Sequence, residues 1–328
     1  MEPAGPLRLA LLGCGFAARL HARALRGLGE EVPCFFASRD AARAQAFASE
    51  LGGRGFFQGY EAALASSDVD AVLVLTPPPQ HLDWTLRGLA AGKHVIVEKP
   101  AFLRASDFDA VEQAARRAGR RVLVAENYHY KPLARSLRRL LAEGAIGPVR
   151  YVFVNAQKEQ RTAGWRASET EAGGGALFEG GIHWVDLMAS LGLSPHTAHG
   201  FAPRPDGGPE RSMLVVFEFA EGAVGALAHS WDTPSPLRGL RLSRIYGRDG
   251  SIVFESNGLF VGVWGRRPRF LIPGLLRDLT GRVAMWRDFV TALRSGCEAE
   301  LSLAQARRDL ELVEEAYASL GQPVRKEA

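Results

Sequence analysis

Cysteine is scarce here, with three residues in 328, at positions 14, 34 and 297. So few, so scattered, cannot build a disulfide framework, and without a CxxC pair there is no thiolate zinc motif. The cysteines read as reduced thiols of a cytoplasmic protein, and no metal site is expected. Lysine is scarce too, five of 40 basic residues, a bias of composition rather than of function. No apolar run approaches the roughly 18 residues of a membrane span. The stretch Leu9–Leu12 before Cys14 is also shorter than the roughly 7–15 apolar residues of a secretion signal. An excess of one charge sign is missing as well. Forty basic residues face 36 acidic ones, a formal net charge of +4, and no basic block carries interleaved aromatics. Nucleic acid and membrane are therefore not expected partners.

What is present is an ordinary globular composition, 47% hydrophobic and 23% charged, long enough for two domains with separate cores. From Leu7 to Ala125, short apolar runs alternate with helical spacings of about ten residues. The runs are Leu7–Leu12, Val32–Ala37, a short one near Phe56, Ala71–Leu75, His94–Val97 and Val122–Ala125. That alternation predicts βαβ units and a doubly wound parallel sheet. After residue 126 the rhythm changes. Helix Leu133–Glu143 precedes strand Val149–Asn155. From Met213 to Trp264 strands follow one another with turn signals at Glu221-Gly222 and Asp249-Gly250, which predicts an antiparallel meander. Two helices, Val283–Ser295 and Leu303–Leu320, close the chain, and Pro203–Pro209 reads as a surface loop. The expectation is a dinucleotide-binding Rossmann domain over 1–126 and an α+β domain with a large, mostly antiparallel open sheet over 127–328.

Chemistry-bearing residues fall where such a fold binds ligands. Gly13-x-Gly15-x-x-Ala18 sits at the first strand–helix turn, with Phe16 and Ala17 inside it. The first glycine allows the tight turn, the second lets a pyrophosphate approach the backbone, and the small third residue lets the helix pack closely. The helix N-terminus supplies amide N–H groups and a positive dipole end. The second strand ends in Ser38-Arg39, where an acid would read the ribose 2′-hydroxyl of NAD. A hydroxyl beside a guanidinium favours the 2′-phosphate of NADP(H), with NAD(H) possible; Asp40 reads as a helix cap. Thr76-Pro77-Pro78-Pro79-Gln80-His81 ends a third parallel strand, placing Thr76, Pro77 and His81 toward the cofactor. Glu98-Lys99-Pro100 ends the next, and an ammonium in a cleft can polarise a carbonyl or hydroxyl.

Four segments in this order, GCGFAA, TPPPQH, GKHVIVEKP and GGGALFEGGIHWVDL, resemble the glucose–fructose oxidoreductase / inositol dehydrogenase / MocA family along essentially the whole chain. The resemblance implies a nicotinamide cofactor, a C-terminal open sheet and a homodimer or homotetramer joined through it. It also implies a catalytic set of Lys99, an acid at position 179 and His183. Position 179 is Glu where the family usually carries Asp. Chemically, His183 would carry the proton that accompanies hydride transfer, while Lys99 would steady the substrate oxygen. Asp186 reads as structural. Trp165-Arg166 resembles a pair that lies near nicotinamide or substrate in relatives. Asn127 and Tyr128, just beyond the last Rossmann strand, point to the substrate side. The expected activity is hydride transfer between NAD(P) and a sugar, polyol or related ketone. A redox-neutral NAD-dependent glycosidase and a non-catalytic nucleotide-sensing regulator are the alternatives on this fold.

Overall fold

In the computed structural model, residues 5–161, 173–203, 209–235, 239–273 and 278–320 are described. By its contacts the chain divides into two units. One runs to Glu126 and takes in Arg282–Ala306. The other is Asn127–Gly281 with the chain from Arg307 onward.

The first unit alternates strand and helix as the apolar runs require: β1 (Leu9–Leu12), α1 (Phe16–Leu25), β2 (Cys34–Ser38), α2 (Ala41–Leu51), β3 (Gly55–Gln58), α3 (Tyr60–Ala65), β4 (Ala71–Val74), α4 (His81–Ala90), β5 (His94–Glu98), α5 (Asp107–Ala118) and β6 (Val122–Ala125). Strands β1 and β4 are buried at every position, the signature of a parallel sheet covered on both faces. The strand order is β3-β2-β1-β4-β5-β6 and every pairing is parallel. Direction of winding reverses between β1 and β4, and ligands of such sheets bind beyond the carboxyl ends of the strands at that switch.

The second unit holds α6 (Pro132–Ala142), β7 (Val149–Gln157), a π-helical turn (Leu177–Gly181), α7 (Ile182–Ala189), β8 (Pro195–Phe201), β9 (Ser212–Phe219), β10 (Val224–Ser230), β11 (Leu242–Gly247), β12 (Ser251–Glu255), β13 (Val261–Trp264) and β14 (Arg269–Leu271). Helices α8 (Arg282–Ser295) and α9 (Leu303–Ala318) follow. The sheet runs β14-β13-β12-β11-β7-β10-β9-β8. It is not a simple meander. Strand β7 inserts between β11 and β10, and its pairing with β10 is parallel, the others being antiparallel.

One face of this sheet is core, with Val152, Val154, Val215, Phe217, Leu227, Ile245, Ile252 and Phe254 buried. The other face leaves Tyr151, Phe153, Leu214, Val224, Leu242, Tyr246 and Trp264 exposed. Tyr151 pairs with both Tyr246 and Val224 across the strands, so these side chains form one continuous apolar surface.

Helix α8 departs from a simple cut at 126/127, since it belongs with the first unit. The cause is aromatic burial. Trp286 and Phe289 are fully buried, and Trp286 meets the His21 ring of α1 edge-on at 5.6 Å. Among the described residues no helix is long and apolar enough to cross a membrane. None of their His, Cys, Asp and Glu side chains cluster in threes that could hold a metal ion. Of the Pro203–Pro209 loop, 204–208 lie outside the described residues.

Candidate active site

At the switch point of the first unit, β1 delivers the chain to Gly13 with φ +127°, a conformation that suits glycine. A Cβ there would lie 3.0 Å from the Leu75 carbonyl oxygen, so the close approach of β1 and β4 also excludes a side chain. Gly15 caps α1 without any side-chain cap, the first turn carries no acid, and a Cβ on Gly15 would meet nothing within 4 Å. The backbone is therefore open where a pyrophosphate would approach. Ala18 is fully buried, Ala17 half-buried and Phe16 exposed. Beyond β4, the buried Thr76 Oγ1 has no hydrogen-bond partner, an orphan that a ligand hydroxyl or amide would satisfy. Open amides, a bare helix N-terminus and an orphan hydroxyl at one strand edge fit a dinucleotide.

At the end of β2, Asp40 caps α2 by accepting from the Arg43 amide at 3.2 Å, as expected. The Ser38 hydroxyl accepts from the Asp40 amide at 3.2 Å. Arg39 is exposed. The sequence reading missed Arg43. Its Nε donates to the Cys14 carbonyl at 2.8 Å, which holds a second guanidinium beside the glycine turn. The Tyr60 hydroxyl, raised by burial, feels both Arg39 and Arg43 in the opposite sense. Cys14 is pushed up to about 11 by burial and Cys34 to about 12, so neither is a ready nucleophile.

His81 has a different task from the one expected. It is 1% exposed, with Nε2 2.7 Å from the Thr76 carbonyl and Nδ1 2.9 Å from the Pro100 carbonyl. Both ring nitrogens face backbone carbonyls, the single N–H of the neutral ring donates to one of them, and burial lowers the pKa of the imidazole. It packs the turn after β4 against the segment after β5, with both ring nitrogens turned toward backbone. Half-buried Lys99 and Pro77 stand on the two segments so packed. Glu98, beside Lys99, is bonded by His21 Nε2 at 2.9 Å. Burial pushes the Glu98 carboxyl up, but the His21 hydrogen bond and the charges of Lys99 and Arg282 outweigh it and bring it down to about 2.

In the second unit, the glycine-rich segment leads into the π-helical turn that carries Glu179. Its amides are capped from far along the chain. Glu210 accepts from the Leu177 amide at 2.6 Å through Oε1 and from the Ala176 amide at 2.8 Å through its carbonyl. The Tyr317 hydroxyl accepts from the Gly175 and Phe178 amides at 3.3 and 3.4 Å. A Cβ at Gly175 would fall on the Glu210 carboxylate, which explains the glycine. Burial and the Glu210 charge push the Tyr317 hydroxyl well above its ordinary value. Neither Glu210 nor Tyr317 lies in a motif that marks it in the sequence. Glu179 is buried, and His183 is the second residue of α7, four positions on in continuous helix. Tyr128 stacks on His183 at 4.1 Å. Asn127 is buried and donates to the Thr280 carbonyl at 2.6 Å. Trp165 and Arg166 lie outside the described residues.

Residues 7–126 match the oxidoreductase family with NAD-binding Rossmann fold, and 134–253 match the GFO/IDH/MocA C-terminal domain. The chain is 33% identical over 234 residues to dTDP-3,4-didehydro-2,6-dideoxy-alpha-D-glucose 3-reductase of Saccharopolyspora spinosa, covering 69% of each chain. It is 30% identical over 233 residues to D-xylose 1-dehydrogenase (NADP(+)) 2 of Haloferax volcanii, covering 70% of each. Among solved structures, GenD2 from gentamicin A biosynthesis in complex with NAD superposes with a TM-score of 0.82 at 27% identity over the whole of both chains. The chain therefore belongs to the Gfo/Idh/MocA family, as a nicotinamide-dependent oxidoreductase acting on CH–OH or C=O groups.

Proposed function

We propose that the protein transfers a hydride between NADP(H) and an alcohol or ketone carbon of a sugar, polyol or related ketone. Lys99 and His183 would act on the substrate oxygen. The single observation that carries this reading is the pairing of an open dinucleotide cradle at Gly13 and Gly15 with Lys99 emerging from the same strand edge. Family membership and the sugar reductase and sugar dehydrogenase among the relatives support the substrate class.

The bound dinucleotide supplies or accepts the hydride. Lys99 donates a hydrogen bond to the substrate oxygen and steadies the negative charge that develops there. His183 takes the hydroxyl proton in oxidation and returns it in reduction. Glu179, one helical turn earlier, is the acid of the set. Ser38, Arg39 and Arg43 would receive a 2′-phosphate, and Asp40, next to them at the β2 tip, is engaged in capping α2. The exposed apolar face of the second sheet supports a homodimer or homotetramer.

A panel of sugars, polyols and ketones with NADPH and NADH, followed at the nicotinamide absorbance, tests the reading. Turnover with a sugar-class substrate supports it. Absence of turnover across the panel with both cofactors bound favours a regulator.

A further inference from the structure

The segment after β6 lies along the first turns of α7, residue against residue. The Tyr128 and His183 rings have centroids 4.1 Å apart and planes 10° from parallel. Tyr128 meets Trp184 edge-on at 5.5 Å. His129 Nδ1 donates to Asp186 Oδ1 at 2.9 Å, with both side chains buried. Arg138 donates to the His129 carbonyl at 2.7 Å, fastening the segment to α6. The Lys131 ammonium sits 3.5 Å from the Tyr128 ring centroid.

An imidazole at 4.1 Å and an ammonium at 3.5 Å would overlap if they shared one face of the phenol ring. They lie on opposite faces, and the two distances bound their separation at about 7.6 Å. With both faces covered, Tyr128 has none to offer a sugar ring.

We propose that Tyr128 and Lys131 set the orientation and the proton affinity of His183, Tyr128 as a positioning residue and Lys131 as a fixed positive charge behind it. The proposal rests on the reading of His183 as the proton carrier. A proton carrier must present its nitrogen at a fixed angle, and turning the imidazole about its terminal torsion would break the parallel stack. Tyr128 is itself held, by Trp184 at its edge and by the His129–Asp186 bond next to it. Asp186 thus serves this stack through Oδ1.

The charge balance at His183 involves several elements. Glu179, on the same helix, favours the imidazolium. Lys131 opposes it, and Lys158 just after β7 and Arg241 before β11 add positive charge at the neighbouring His229, where His183 is also felt. His229 of β10 adds no charge near neutral pH, because burial, then Lys158 and His183, bring it down to about 3. A unit charge about 7.6 Å away at an effective dielectric of about 20 displaces an imidazole by roughly one to two pKa units. Partial exposure reduces this to about one.

The test is an NMR titration of histidine-labelled protein, with the His183 signal assigned by its loss in His183→Asn. Lys131→Met should raise the His183 pKa by about half a unit to one unit, and Lys131→Arg should leave it near the parent value. In the pH profile of kcat/KM, the limb reporting His183 should move with it. Tyr128→Leu should lower kcat by about tenfold or more with little change in KM, and Tyr128→Phe should restore it. Should Tyr128→Leu fail to fold, the Lys131 pair decides. An unchanged His183 titration in Lys131→Met overturns the proposal. Full activity in His183→Asn would instead overturn the catalytic reading, and the titration would still decide this one.

Discussion

Trp286 donates its indole N–H to Nδ1 of His21 at 3.1 Å, across 265 positions of chain. An indole nitrogen only donates, so Nδ1 of His21 accepts and Nε2 carries the proton given to Glu98. A closing helix thereby fixes a tautomer, and the tautomer fixes the carboxylate beside Lys99.

That chain of contacts predicts a pH dependence of stability. Glu98 in the folded protein sits at about 2, below its ordinary 4.5. Ionised Glu98 therefore favours the folded state above pH 4.5, and that contribution is lost as the pH falls from 4.5 toward 2. Denaturant unfolding across this range should show Glu98→Gln less stable than the parent at pH 7, with the gap closing toward pH 2. A gap independent of pH would contradict the ionised assignment.

Cofactor choice is the second prediction. Ser38→Asp should turn preference toward NAD(H) by setting a carboxylate against the 2′-phosphate. Arg43→Ala should weaken NADPH binding by about tenfold and NADH binding much less. Calorimetric titration checks both, and tighter binding of NAD(H) than NADP(H) by the parent protein would refute the preference.

The third prediction concerns the apolar face. Charges placed at Tyr151 and Phe153, as in Tyr151→Glu with Phe153→Lys, should convert a dimer or tetramer at micromolar concentration to smaller species by light scattering. A monomeric parent at that concentration would remove the basis for the interface.

Legibility followed locality. Strands with continuous apolar burial, such as Ala71–Val74, lie within a residue or two of their expected bounds, and Asp40 caps the helix it was expected to cap. Strand β8 was invisible because Pro195, two histidines and Gly200 give it no β-rich alternation. The parallel insertion of β7 beside β10 has no local signature, since register between distant strands is settled by packing. In the site, the motif residues were legible from type and position. The residues holding them were not: His21, Trp286, Glu210 and Tyr317 act through contacts spanning tens to hundreds of positions. His81 was expected toward the cofactor from its place after β4, whereas its ring is buried against the Thr76 and Pro100 carbonyls, a packing with no signature in the sequence.

The most direct measurement of the central claim is single-turnover hydride transfer in Lys99→Met and His183→Asn, alongside cofactor binding in each. The account predicts a fall of about a hundredfold or more in transfer for each variant, the scale of a lost acid–base or oxyanion contact. Cofactor affinity should change far less, because the proposed phosphate contacts are at the glycine turn. Glu179→Asp should keep measurable activity. Near-normal transfer in both Lys99→Met and His183→Asn would contradict the account and require a different catalytic set.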